Sequence, residues 1–231
     1  MTDALLRQIE ARFHASGSAD DEAVWLRARL QAGELDVARL ELAALFGHAG
    51  AAAALGAPSL PPCVSDVIGA EGGHPKPSRR PGVWDEWDAW TGAYSALSAE
   101  AFRRVAVAVA TVAYRSYAQG HSFGDAEWVT EELWALELAL LDGSSDYELR
   151  GEGAHSAACE VRGTRAALPA EAVASAAAAF RTGSRPELLL ATVQASLPHE
   201  GEIRDLLAAE LVPWALGEPD PVRARVQARE D

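Results

Sequence analysis

Residues 101–114 read AFRRVAVAVATVAY, and the period assigned to them decides the fold class. Val105, Val107, Val109 and Val112 alternate with alanine over part of the stretch, which is the two-residue repeat of a strand. Phe102, Val105, Val109 and Val112 also recur at spacings of three and four, which is the stripe of a helix. Length separates the two readings. From Ser98 to Tyr117 there is neither glycine nor proline, and the run exceeds an ordinary strand. Alanine is the best helix former and is depleted in strands. The expectation is a helix over 98–117.

The flanking sequence repeats the helical pattern. Upstream, Leu5, Leu6, Ile9 and Phe13 share one face of a helix over 3–16. A second helix, capped by Asp20 or Asp21, carries Ala23, Leu26 and Leu30 and ends at Gly33, where a left-handed residue favours glycine. A third runs from about Leu35 to Gly47, and Ala49 to Leu55 makes a short fourth, closed by Gly56. Downstream, residues 125–142 form a strong helix holding Trp128, Leu133, Trp134, Leu136, Leu138, Leu140 and Leu141, with Gly143 after it. Further helices are expected near 153–162, at 169–182, 186–197, about 200–216 and 220–229. Pro169 and Pro186 fall at helix starts, where proline is tolerated. Pro213 is expected to kink or divide its helix. The fold class is therefore all-α: an irregular multi-helix bundle or a stack of helical hairpins.

The chain has 231 residues, enough to bury a core without disulfides. Residues 71–82 hold Gly72, Gly73, Pro75, Pro77 and Pro81 beside Lys76, Arg79 and Arg80, and read as a linker or loop. They separate an N-terminal helical segment, 1–70, from a main helical domain, 83–231, unless the two are continuous. Alanine is about a fifth of the chain and Lys76 is its one lysine. No apolar run approaches a membrane span. Arg7, Glu10 and Arg12 interrupt any secretory apolar segment. A cytoplasmic location is expected. Cys63 and Cys159 are the only cysteines, which excludes a disulfide framework and a four-cysteine zinc site.

Charge is the most distinctive feature. The chain carries 34 acids against 20 bases, a formal net charge of -14. That disfavours general nucleic-acid binding, which needs a basic face for phosphates. The excess is local, since residues 121–231 hold 20 acids against 9 bases. It is densest in 125–160, where Asp125, Glu127, Glu131, Glu132, Glu137, Asp142, Asp146, Glu148, Glu152 and Glu160 face Arg150 alone. Such a block keeps a helix face solvated, and it also draws in cationic partners.

Three constellations suggest chemistry. Gly120-His121-Ser122-Phe123-Gly124 fits the G-x-S-x-G elbow of α/β-hydrolases, with His155 or His199 as a base. The elbow needs a buried strand running into its first glycine, and polar Arg115, Ser116 and Gln119 stand there instead. An inter-helix loop explains the five residues better. His155 and Cys159 share a helix face at i, i+4, short of the three or four convergent ligands of a metal site. Glu127, Glu131 and Glu132 lack the Glu-x-x-His of di-iron bundles, and Glu131 and Glu132 point about 100° apart on a helix. No catalytic residue, metal or cofactor is expected. Trp84, Trp87 and Trp90 recur every three residues with Asp85, Glu86 and Asp88 between them. They either anchor a helix to the core or form an aromatic hot spot beside acids.

Gly33-Glu34-Leu35 through Arg39-Leu40-Glu41-Leu42-Ala43-Ala44 to Gly47-His48 resembles a segment of alanine-rich helical proteins of GC-rich bacteria, myxobacteria especially. Glu210-Leu211-Val212-Pro213-Trp214-Ala215-Leu216-Gly217, followed by Asp220-Pro221-Val222-Arg223, extends the resemblance to about a quarter of the chain. The middle, with its Trp134 helix, is loosely similar to immunity proteins of polymorphic toxin systems. The resemblance implies an all-helical fold and an immunity-type role, and supplies no catalytic residues. The expected function is non-enzymatic binding of a basic protein. The expected contact residues are Asp125, Glu127, Glu131, Glu132, Asp142, Asp146 and Glu148 with Trp84, Trp87 and Trp90. No nucleic acid and no membrane is expected as partner, and the oligomeric state is open. The competing readings are a helical scaffold self-associating through the Trp84–Trp90 stripe and a serine hydrolase at Ser122.

Overall fold

A computed structural model describes residues 3–56, 98–118, 127–143, 167–196 and 203–231. Among them are ten α-helices and no strand, so the fold is an all-α multi-helix bundle. The helices are α1 (Asp3–Ser16), α2 (Ala19–Ala32), α3 (Val37–Leu45), α4 (Ala49–Leu55), α5 (Ala99–Ala118), α6 (Glu127–Asp142), α7 (Ala167–Thr182), α8 (Arg185–Ser196), α9 (Ile203–Leu216) and α10 (Pro221–Glu230). The expected linker 71–82 and the expected helix near 153–162 lie outside the described residues.

The chain divides into two compact units. The first holds α1 to α4 and residues 208–221; the second holds α5 to α8 with residues 203–207 and 222–231.

In the first unit α2 packs against α1 and α4, and α3 against α4. Glycine in the left-handed region ends α2, where Gly33 (φ 75°) sends its N–H to Leu30 and Glu34 sends its own to Arg29. The N-terminus of α2 differs from expectation. The cap is Ser18, whose Oγ accepts from the Asp21 N–H at 3.2 Å. Asp21, one of the two expected caps, is instead in the first turn, where its carboxylate meets Arg12 at 2.5 Å. Asp36 caps α3 by accepting from Ala38 N–H at 2.6 Å. Leu26, Leu40, Leu42 and Phe46 are buried, as are Leu211, Trp214 and Leu216. No residue of α1 is buried.

In the second unit α5 packs against α6, α7 and α8. The valines of α5 are buried, and so are Ala106, Ala108, Ala110 and Ala113 between them. Every residue from Val105 to Ala113 is buried, so this stretch has no polar face to mark its period, which is why the strand and helix patterns both fit it. The alanine-rich α7 buries Ala170, Ala172, Ala176, Ala177 and Ala179, and leaves Glu171, Ser175 and Ala178 as a half-buried stripe. Small side chains on both helices let their backbones approach closely.

Helix α9 runs unbroken through Pro213 to Leu216, so the proline does not divide it. Proline lacks the N–H that would reach Ala209, four residues back. Ala209 is exposed, so water can take that carbonyl. Among the described residues no helix is long and apolar enough to cross a membrane.

Candidate functional site

Helix α6 is the described part of the acidic segment. Its sequence, EWVTEELWALELALLD, holds five carboxylates and no base. Helical geometry divides those carboxylates between opposite faces. Glu131 and Asp142 are exposed. Glu132, expected at the partner surface, is 7% exposed and turned inward, as the 100° step from Glu131 requires. Glu137 is fully buried. Glu127 opens the helix. Asp125, Asp146, Glu148, Trp84, Trp87 and Trp90 lie outside the described residues, as do Ser122, His155, Cys159 and His199.

The buried Glu137 carboxylate has two cationic partners. Arg225 Nε donates to Oε1 at 2.6 Å and Arg229 Nη1 to Oε2 at 2.9 Å. Arg225 also donates to Thr111 Oγ1 at 3.5 Å. Arg225 and Arg229 are four residues apart and so share one face of α10. A carboxylate taken out of water is tolerated only when paired and hydrogen-bonded. The cluster thus ties α10 to α6 and α5, and gives Glu137 a structural task. Nothing near residue 137 in the sequence announces a partner 88 residues away.

The outward arc of α6 carries more than acids. Trp134 is 38% exposed, and Leu138 and Leu141 are half-buried on the same arc. By sequence alone Trp134 is one of the apolar positions of the helix. The available signal was its place three residues after Glu131, on the Glu131 side of the helix.

The first unit holds a groove of about 430 Å³ beside Trp25, walled by Asp3, Arg7, Arg29, Glu34 and Glu218. Its central groups are engaged within the unit. Phe13 stacks on Trp25 with ring centroids 5.1 Å apart, and the Arg29 guanidinium lies 4.8 Å from the indole centroid. Arg29 also donates to the Leu216 carbonyl at 2.6 Å and approaches Glu34 at 3.6 Å. Charges of both signs line the groove without converging on one point. Among the described residues there is no group of three or more His, Cys, Asp or Glu that could hold a metal ion.

Hydrogen bonding from Ser16 holds Asp21 below its ordinary value. Desolvation opposes it in part, and Ser18 and then Arg12 add to the lowering. The arrangement orders the corner between α1 and α2.

No family model, curated protein or solved structure matches the chain.

Proposed function

We propose that this is a cytoplasmic, non-enzymatic binding protein of immunity type, which neutralises a basic partner protein through an acidic surface on residues 125–160. The observation that carries this reading is the concentration of charge. Of the net -14, residues 121–231 account for -11. Within α6, Glu131 and Asp142 are exposed, and the helix itself carries no base. A negative field of this kind steers a cationic surface into encounter and raises the association rate more than it slows dissociation. A toxin with a basic active-site cleft is the most concrete partner of this chemistry.

The first partner to test is the product of an adjacent reading frame with an excess of lysine and arginine. Association measured from about 50 to 300 mM salt should slow steeply as screening shortens the reach of the charges. Glu131→Gln with Asp142→Asn should lower the association rate two- to threefold and leave dissociation nearly unchanged. An association rate independent of ionic strength would refute the acidic-surface reading.

A further inference from the structure

The outward face of α6 is unusual for a helix that turns its other side to a core. Val129, Leu133, Leu136, Ala139 and Leu140 are buried. The opposite arc, which in a surface helix is normally polar, presents Trp134, Leu138 and Leu141. Trp134 is the only aromatic among the large apolar side chains exposed in the described residues; the others are Leu5, Val24, Val37 and Leu190. Each of those four stands on a different helix. On α6 the exposed Trp134 shares one arc with the half-buried Leu138 and Leu141, and acids rim that arc. Glu131 stands at one end and Asp142 at the other.

We infer that this ridge is the contact surface, with Trp134 as its anchor, and that its occupant is a patch of a basic protein presenting arginines around an apolar centre. The inference rests on the reading of the protein as a binder of basic partners, and says where on it that partner docks. The chemistry selects arginine. A guanidinium lies flat on an indole and is held there by the ring's negative face. Glu131, one turn before Trp134, stands about 5–6 Å away between Cβ atoms, so one arginine over the indole can also donate to that carboxylate. Asp142 is eleven residues beyond Glu131, about 16 Å along the axis, and serves a second cation. Leu138 and Leu141 lie between them for the apolar centre. The layout is that of an interface hot spot: an aromatic anchor inside, charges at the rim.

The probe is a helical peptide of about twenty residues, with two arginines eleven positions apart and leucines between. Its counterpart has both arginines replaced by glutamate. Calorimetric titration of the whole chain, at about 50 and 300 mM salt, should show binding of the arginine peptide alone, weakened by salt. Trp134→Ala should weaken it about thirtyfold, as loss of a hot spot does. Trp134→Phe should keep most of the affinity. Glu131→Arg, at an exposed position, should abolish binding with an unchanged far-UV circular dichroism spectrum. Leu190→Ser should change nothing.

Salt-sensitive binding that survives both Trp134→Ala and Glu131→Arg would overturn the ridge and leave the acidic-surface reading standing. Absence of salt-sensitive binding would overturn both. Self-association of the chain, abolished by Trp134→Ala, would assign the ridge to a second copy and overturn the proposal.

Discussion

The two units are held together by different physics. In the first, arginines reach across to the carbonyls at helix ends. Arg27 donates to Ala53 and Ala54 at the end of α4, at 2.5 and 2.9 Å. Arg29 donates to Leu216 and Arg39 to Trp214 at the end of α9. The last carbonyls of a helix carry the negative end of its dipole and keep lone pairs that no helical N–H reaches, even where a capping glycine donates to them, so a guanidinium is favoured there. Even the start of α4 follows this habit: His48 Nδ1 accepts from Ala51 N–H at 3.2 Å, while its Nε2 faces Glu22 at 3.4 Å. The second unit is close-packed alanine and valine around α5, with one carboxylate enclosed by two arginines. Directed polar bonds make a unit whose parts can be removed one at a time. Close packing makes one that resists any change of volume or charge.

The largest effect expected from this contrast lies in the second unit. Arg225→Ala with Arg229→Ala strips both cations from a carboxylate that has no exposure. Urea unfolding should show a loss of about 3–5 kcal/mol, the cost of a buried charge left uncompensated. Glu137→Leu should cost clearly less. The two guanidiniums are 20% and 28% exposed and can turn to water. Equal losses in the two variants would mean that the carboxylate is not the costly partner, and the distinction drawn for this unit would fail.

Among the polar ties of the first unit, the largest single effect should come from Arg39. Its guanidinium donates to the Trp214 carbonyl and lies 4.4 Å from the centroid of that residue's ring. Arg39→Ala should cost about 2 kcal/mol, from one charge-assisted hydrogen bond and a partly buried cation–π contact. Arg39→Lys should recover only part of that, since an ammonium cannot stack and donate as a planar fork does. Leu5→Ala is the control: Leu5 is 46% exposed, and the change should stay within about 0.5 kcal/mol. A large loss at Leu5 with none at Arg39 would reverse the account of what binds this unit.

Much of the fold was legible because glycine, proline and helical periodicity act locally. The bounds of α4 follow from Ala49 to Leu55 and Gly56, and the helix α5 follows from length and alanine content despite a misleading alternation. Errors arose where two local signals competed. Asp20 and Asp21 carry the side chains of caps, yet Ser18 holds the position, because the helix already begins at Ala19 and Asp21 is claimed by Arg12. Pro213 is expected to kink or divide its helix; the division does not occur, since the helix runs on three residues to Leu216. The site was legible as a charge and not as a surface. Counting carboxylates in 125–160 treats Glu131, Glu132 and Glu137 alike, whereas a helix sends them to different faces. That Glu137 is enclosed by arginines of α10 is a tertiary fact with no local mark. The same holds for Arg39 on Trp214, 175 residues away.

The smallest expected effect tests how directed bonds hold α1, the helix with no buried residue. Its ties to α2 include the stacking of Phe13 on Trp25 and the pairing of Arg12 with Asp21. The Asp21 carboxyl is held below its ordinary value of 3.8, first by Ser16, then by Ser18 and Arg12. A carboxyl whose folded-state value is depressed stabilises the fold while it is ionised. Its contribution is complete above the ordinary value and is lost as pH falls through the lower, folded-state one. The corner between α1 and α2 should therefore stay ordered through pH 3.8 and loosen only below it. A carboxyl-carbon NMR titration of Asp21 should show a midpoint below 3.8, and Ser16→Ala should move that midpoint upward. An unshifted midpoint in the wild-type chain would mean that the hydroxyl and guanidinium contacts do not favour the charged form. The hold on α1 would then rest on the aromatic stack, and the first unit would depend on apolar contact more than its hydrogen bonds suggest.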